Sequence, residues 1–169
     1  LKSLLANSEA KLTEVFIFSD GASIKQHKAS IESLRNTVKN IVGFKRVIVI
    51  SQPENLGRES NTKFAVDYLK KRYKYFILME DDLQVSHSFL SFMNFYLKKY
   101  FDCVEVQTIG GYNANVDFGH NGLVKHRIIN GWGIGFWSHK PFLEKLFSQQ
   151  NFYEDLINSK SLLKIYKVH

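Results

Sequence analysis

Apolar residues in this chain fall either into short unbroken runs or into helical spacings, and the two patterns alternate. Leu1 to Leu12 has apolar residues at positions 1, 4, 5 and 12 and is expected to form a short helix. Glu14 to Phe18, EVFIF, has the composition of a strand and runs into the turn Ser19-Asp20-Gly21. Positions 24, 31, 34, 38, 41 and 42 are apolar, which predicts an amphipathic helix over Ser23 to Ile41 that Gly43 stops. Arg46 to Ser51, RVIVIS, is the clearest strand, and the polar loop Gln52 to Asn61 then feeds a helix through Leu69. In Tyr73 to Val85, YKYFILMEDDLQV, an apolar run flanked by lysines ends in three carboxylates. Such a run predicts a central strand buried on both faces, as in parallel sheets. Ser86 to Phe101 is expected to be a helix whose Phe89, Leu90, Phe92, Met93, Tyr96 and Leu97 face the core. Cys103 to Ile109 predicts a shorter strand ending at Gly110-Gly111-Tyr112-Asn113, and Asn115 to His126 an irregular polar loop. Gly131 to Trp137, GWGIGFW, predicts tight turns between bulky residues; Pro141 opens a helix through Phe147, and Phe152 to Leu156 holds a second acidic site before a lysine-rich tail. The alternation of strands and helices predicts an α/β fold with a mostly parallel sheet, built as one domain over residues 1–169.

Composition narrows the class. The chain has 169 residues, 44% hydrophobic and 14% aromatic, with two prolines, which fits a packed domain rather than a disordered one. The single Cys103 excludes an internal disulfide and fits a reducing compartment. No apolar run approaches the roughly 18 to 20 residues of a membrane span. Residue 1 is leucine, and the chain is expected to be a piece of a longer protein. Lys and Arg number 23 against 16 acids, a formal charge of +7. These cations are scattered, with LKKRYK and LKK at expected helix ends, where they suit the helix dipole. Nucleic acid is therefore not expected as the main partner.

The candidate chemistry follows from a few positions. Glu80, Asp81 and Asp82 at a strand end repel one another unless a cation shares their charge, which suits Mg²⁺ or Mn²⁺ carrying phosphate. The alternative is a solvated acidic turn that opens the next helix. Asp20 either caps the following segment or accepts hydrogen bonds from a base or ribose. Gly57 permits an unusual backbone angle or close ligand approach. Arg58, at a helix amino end where a cation opposes the dipole, either holds a diphosphate or pairs with Glu54 or Glu59. Trp132, Phe136 and Trp137 offer faces for a sugar or pack in the core. His120 and His126 are expected to be solvated.

These pieces together carry a resemblance. FILMEDDLQVSHSFLSFM resembles the segment around the metal-binding DxD-type motif of GT-A glycosyltransferases, in the EDD form found in N-acetylglucosaminyltransferase I and related bacterial sugar transferases. FIFSDG, QPENLGRESN, EDDL, IGGYN and GWGIGFW stand in the corresponding order over about Glu14 to Asp155. The resemblance implies the Rossmann-like GT-A nucleotide-diphospho-sugar transferase fold, with its first strand lacking here. It implies transfer of a sugar from a UDP-sugar, with inversion, to a glycan or lipid-linked acceptor. Asp20 would contact uracil, Asp82 would bind Mn²⁺ or Mg²⁺, and Glu80 and Asp81 would contact ribose or sugar. Arg58, Asn113, Gly131 and Trp132 would complete the substrate site, and Asp155 would be the catalytic base. A bacterial cytoplasmic location follows, with the basic surface holding the protein near an anionic membrane. A nucleotidyltransferase of the same fold, or a non-catalytic sugar- or nucleotide-binding module, remains as the alternative; a phosphoacceptor receiver domain fits less well.

Overall fold

The computed structural model of the chain describes residues 1–112, 123 and 131–142. Strand β1 (Glu14–Ser19) and strand β2 (Arg46–Ser51) pair in parallel, in register from Glu14 opposite Arg46 to Ser19 opposite Ser51. Helix α2 (Lys28–Lys39) makes the return between them. Helix α3 (Gly57–Lys70) leads to strand β3 (Tyr75–Leu78), and helix α4 (Phe89–Lys99) leads to strand β4 (Thr108–Gly110). A last strand, β5 (Ile134–Trp137), lies between β3 and β4 and runs antiparallel to both.

Two strand expectations are corrected here. Among the described residues the parallel ladder is the β1–β2 pair alone, so the sheet is not mostly parallel. β3 is an edge strand of an antiparallel three-stranded sheet, and only Phe76 on it is buried. A continuous apolar run records hydrophobicity and length but fixes neither the burial of each residue nor the direction of the neighbouring strand. That neighbour is GWGIGFW, expected to be turns, whose Ile134, Gly135, Phe136 and Trp137 are all buried. Gly135 is needed there, because a Cβ on it would stand 2.9 Å from the Leu97 side chain and 3.1 Å from that of Met93. α4 thus lies directly on β5.

The helix ends also move. Leu1 to Leu12 is not one helix but α1 (Lys2–Leu5) and a 3₁₀ turn over Ala10–Leu12. Asn7 intervenes because its side chain is committed elsewhere: its amide donates to Ser3 O (3.0 Å) and Ser86 O (3.1 Å), and its oxygen accepts from Leu90 N (2.9 Å). It thereby satisfies the amino end of α4. Another 3₁₀ turn, Lys25–His27, precedes α2, whose cap is Asn40; Gly43 (φ 104°) shapes the turn beyond. α3 starts earlier than expected, at Gly57. β4 is shorter than Cys103 to Ile109, because the preceding carbonyls are taken by Lys140. Its buried ammonium donates to Tyr100 O (3.0 Å), Cys103 O (2.9 Å) and Val106 O (2.6 Å), and lies 3.6 Å from the centre of the Trp137 ring. Burial pulls this ammonium below the usual lysine range.

Val66, Leu69, Phe76, Ile134 and Phe136 form one core cluster, and Phe16 and Phe18 of β1 pack against it, so the same apolar mass serves both sheets. Phe89, Leu90, Met93, Leu97, Ile109 and Trp137 form the second. The expected core face of α4 is thus observed. No helix among the described residues is long and apolar enough to cross a membrane.

At the amino ends of the strands, the Glu14 carboxylate accepts a 2.5 Å hydrogen bond from the Tyr73 hydroxyl and pairs with Lys45 and Arg46, each at 3.2 Å. The Tyr73 bond first, and then Lys45, bring Glu14 from the ordinary 4.5 down to about 2. A depressed carboxyl contributes stability that is complete above its unfolded value and lost as pH falls through the folded one. Glu14→Gln is therefore expected to flatten the loss of stability between about pH 4.5 and about pH 2, read as urea midpoints across that range.

Candidate functional site

The carboxyl ends of β1 and β2 carry the turn at Asp20 and the loop that follows Ser51. Gln52 N donates to Ser19 O (2.9 Å), and Asn55 Nδ2 donates to Gly21 O (3.0 Å), which seats the loop on the turn. Gly21 is obligatory there, since a Cβ would stand 2.2 Å from the Glu54 carbonyl carbon. The Asp20 carboxylate accepts from Gly21 N and Leu56 N (both 2.8 Å) and from Gly57 N (2.9 Å). From the sequence, Asp20 is expected to cap the segment that follows it or to meet a base or ribose; it instead places an anion at the amino end of the distant α3, where the helix dipole favours it. Arg35 of α2 locks the same corner by donating to Ser19 Oγ (3.0 Å), Asp20 O (3.0 Å) and Gln52 O (3.1 Å). Nothing in the helical spacing of α2 distinguishes Arg35 from a surface arginine, and sequence reasoning missed it.

This loop delivers Arg58 to the first turn of α3. Its guanidinium lies 3.9 Å from the Glu80 carboxylate, and neither Glu54 nor Glu59 is its partner. The side chain is 90% exposed, so the pair is weak in water and the guanidinium is free to take a stronger anion. Glu80, Asp81 and Asp82 all face solvent directly after β3. Asp81 and Asp82 have no hydrogen-bond or ion-pair partner among the described residues.

The antiparallel register brings further residues to the same edge. Leu78 and Gly110 both stand opposite Ile134, so the chain leaving β3, the chain leaving β4 and the chain entering β5 meet there. Gly111 N donates to Gly133 O (2.7 Å), and Gly133 adopts φ 72°. A Cβ on Gly111 would stand 2.4 Å from the Phe89 ring. These glycines let Tyr112 and Trp132 meet edge to face, with ring centres 4.9 Å apart and each ring about half exposed. Phe136 and Trp137 are core, which leaves Trp132 as the exposed aromatic of its segment; Tyr112 is a neighbour that the sequence did not single out.

Among the described residues, Asp20, Glu80, Asp81, Asp82, Gly131 and Trp132 thus lie near strand ends, and Arg58 lies in the first turn of α3. Asn113, His120, His126 and Asp155 lie outside the described residues. The donors at 80–82 are hard oxygens in an open position, and no group of three His, Cys, Asp or Glu ligands gathers among the described residues. That donor set fits a divalent ion that takes one or two carboxylates together with a diphosphate, and does not fit an all-protein cage.

Comparison with known proteins adds one finding. The model of the family described as glycosyl transferase family 2 matches residues 1–164. Neither the curated proteins nor the solved structures gave a match.

Proposed function

The chain belongs to glycosyl transferase family 2, and on that premise we propose that it is a metal-dependent, inverting enzyme that uses a UDP-sugar and a glycan or lipid-linked acceptor. The observation that carries this is the pairing of Arg58 with Glu80, the first of three adjacent exposed carboxylates that follow β3, which sets one exposed cation beside a run of hard oxygen donors. Arg58 exchanges Glu80 for the diphosphate of the donor, a charge-assisted contact stronger than the exposed pair it replaces. Asp82 holds Mn²⁺ or Mg²⁺, with Glu80 and Asp81 directed to ribose and sugar. The ion, when bound, neutralises charge on the departing diphosphate. Asp20 and Arg35 fix the loop that positions Arg58. Asp20 already accepts three backbone N–H groups, so its share in holding uracil is mainly through that loop. Asn113, Gly131 and Trp132 complete the substrate side.

Asp155 takes the proton of the acceptor hydroxyl. The hydroxyl oxygen then bonds to the anomeric carbon from the face opposite the diphosphate, the bond to UDP breaks, and the configuration inverts. The test is calorimetric titration of UDP, with and without Mn²⁺, on the wild type and on Asp82→Asn. Binding is expected to require the metal and to be lost in the variant. UDP binding of equal strength in all four titrations would remove the diphosphate from the acidic strand end.

A further inference from the structure

The end of the molecule opposite the carboxylates has its own character. β1 and β2 are parallel, so Glu14 and Arg46 mark one end and Ser19 and Ser51 the other. Tyr73, just before β3, reaches Glu14, whereas Glu80, just after β3, reaches Arg58. The two ends of β3 therefore match those of β1. Lys11, Lys39, Lys71 and Lys74 all lie at the Glu14 end: ahead of β1, at the close of α2, and in the link from α3 to β3. All four are exposed, and among the described residues none has an ion-pair partner. Glu14, the carboxylate that opens β1 at this end, is already held by Lys45, Arg46 and Tyr73.

Apolar side chains stand among these cations. Val42 at 84%, Val104 at 79% and Leu12 at 70% are the three most exposed large hydrophobic residues described, and all lie in connections at this end. Val104 stands between Asp102 and Glu105, whose carboxylates disfavour an anionic surface there. Leu12 and Val42 flank the amino ends of β1 and β2, which are tied by Lys45 N donating to Thr13 O (3.0 Å). Exposed apolar tips close to lysines along the chain, Leu12 next to Lys11 and Val42 shortly after Lys39, match an anionic bilayer, where the lysines meet lipid phosphates and the tips enter the headgroup layer.

We propose that this basic end is a peripheral docking surface for an anionic lipid membrane, with Lys11, Lys39, Lys71 and Lys74 as the electrostatic contacts and Leu12 and Val42 as the inserting residues. The docking needs no turnover and stands apart from the glycosyl-transfer reading. Combined with that reading, it sets the acceptor. Six-residue strands at about 3.3 Å per residue hold the acidic end about 20 Å or more from the bilayer. The acceptor hydroxyl is then the outer end of a glycan rather than a sugar at the lipid headgroup.

The test is flotation of the complete protein with vesicles of phosphatidylcholine alone or with phosphatidylglycerol added. Binding is expected only with the anionic lipid and is expected to disappear at high salt. Lys39→Gln, Lys71→Gln and Lys74→Gln together should lower partitioning by on the order of a hundredfold, at about fivefold per lysine. Leu12→Ser with Val42→Ser should weaken binding while leaving its salt dependence in place. Every substituted side chain is exposed, and matching thermal melts verify that the variants fold. Equal partitioning onto both lipids, none onto either, or full binding by the lysine variant overturns the proposal. So does preferential capture of an oligonucleotide over anionic vesicles, which assigns the surface to nucleic acid. Activity plays no part in these readouts, so a negative result leaves the glycosyl-transfer reading untouched.

Discussion

Asp155→Asn is expected to lower turnover by about two to four orders of magnitude, the usual span for loss of a positioned general base, while metal-dependent UDP binding persists. The reason lies in what the reaction needs. An acceptor hydroxyl is a poor nucleophile until its proton is accepted as the new bond forms. An amide in place of the carboxylate keeps the size of the side chain and removes its basicity. On the proposed reading the donor diphosphate depends instead on Arg58 and on the carboxylates after β3, so binding and turnover should separate. Steady-state rates with a UDP-sugar and acceptor, set beside UDP titrations, measure both quantities. Turnover at the wild-type rate would place the base elsewhere. A wild type that binds UDP and transfers nothing to any acceptor would favour a binding module.

Trp137→Ala carries the largest expected cost in stability, about 3–5 kcal/mol. Trp137 is fully buried at the end of β5. Its indole N–H donates to Leu97 O (2.8 Å), which joins β5 to α4, and the Lys140 ammonium covers its ring. Removing the ring leaves a cavity between sheet and helix and uncovers one side of a buried cation. Against the 5–15 kcal/mol typical of a whole domain, that is a large fraction. Trp137→Phe keeps a ring beneath Lys140 but loses the hydrogen bond to Leu97, so a smaller loss is expected. Denaturant midpoints of the two variants resolve the packing contribution from that of the hydrogen bond.

Much of this was legible from local pattern. RVIVIS and EVFIF have few conformations open to them besides strands, and β1 and β2 appear where expected. The aromatic stripe of Ser86 to Phe101 has one side to bury, and that side is the core in the structure. The acidic run after β3 is a property of three adjacent residues and needs no partner to be noticed. The same locality explains the failures. Asn7 looks like part of a helix until Ser86 and Leu90 arrive to compete for its side chain. GWGIGFW looks like turns because glycine is usually punctuation, yet Gly135 is a strand residue required by Leu97 and Met93 overhead.

By itself, then, the sequence determined which segments are strands and helices where the apolar pattern is long and regular, the net positive charge, and the run of carboxylates. Only the tertiary structure decided how β3 is paired, that Arg58 meets Glu80 instead of Glu54 or Glu59, that Tyr112 joins Trp132, and that Arg35 and Asp20 hold the loop between them. It also decided that Lys11, Lys39, Lys71 and Lys74 share the end opposite the carboxylates. The physical reason is one of range. Periodicity and propensity act over a few residues, whereas hydrogen-bond partners, packing neighbours and the separation of charge are fixed by residues tens of positions apart, brought together only once the chain has folded.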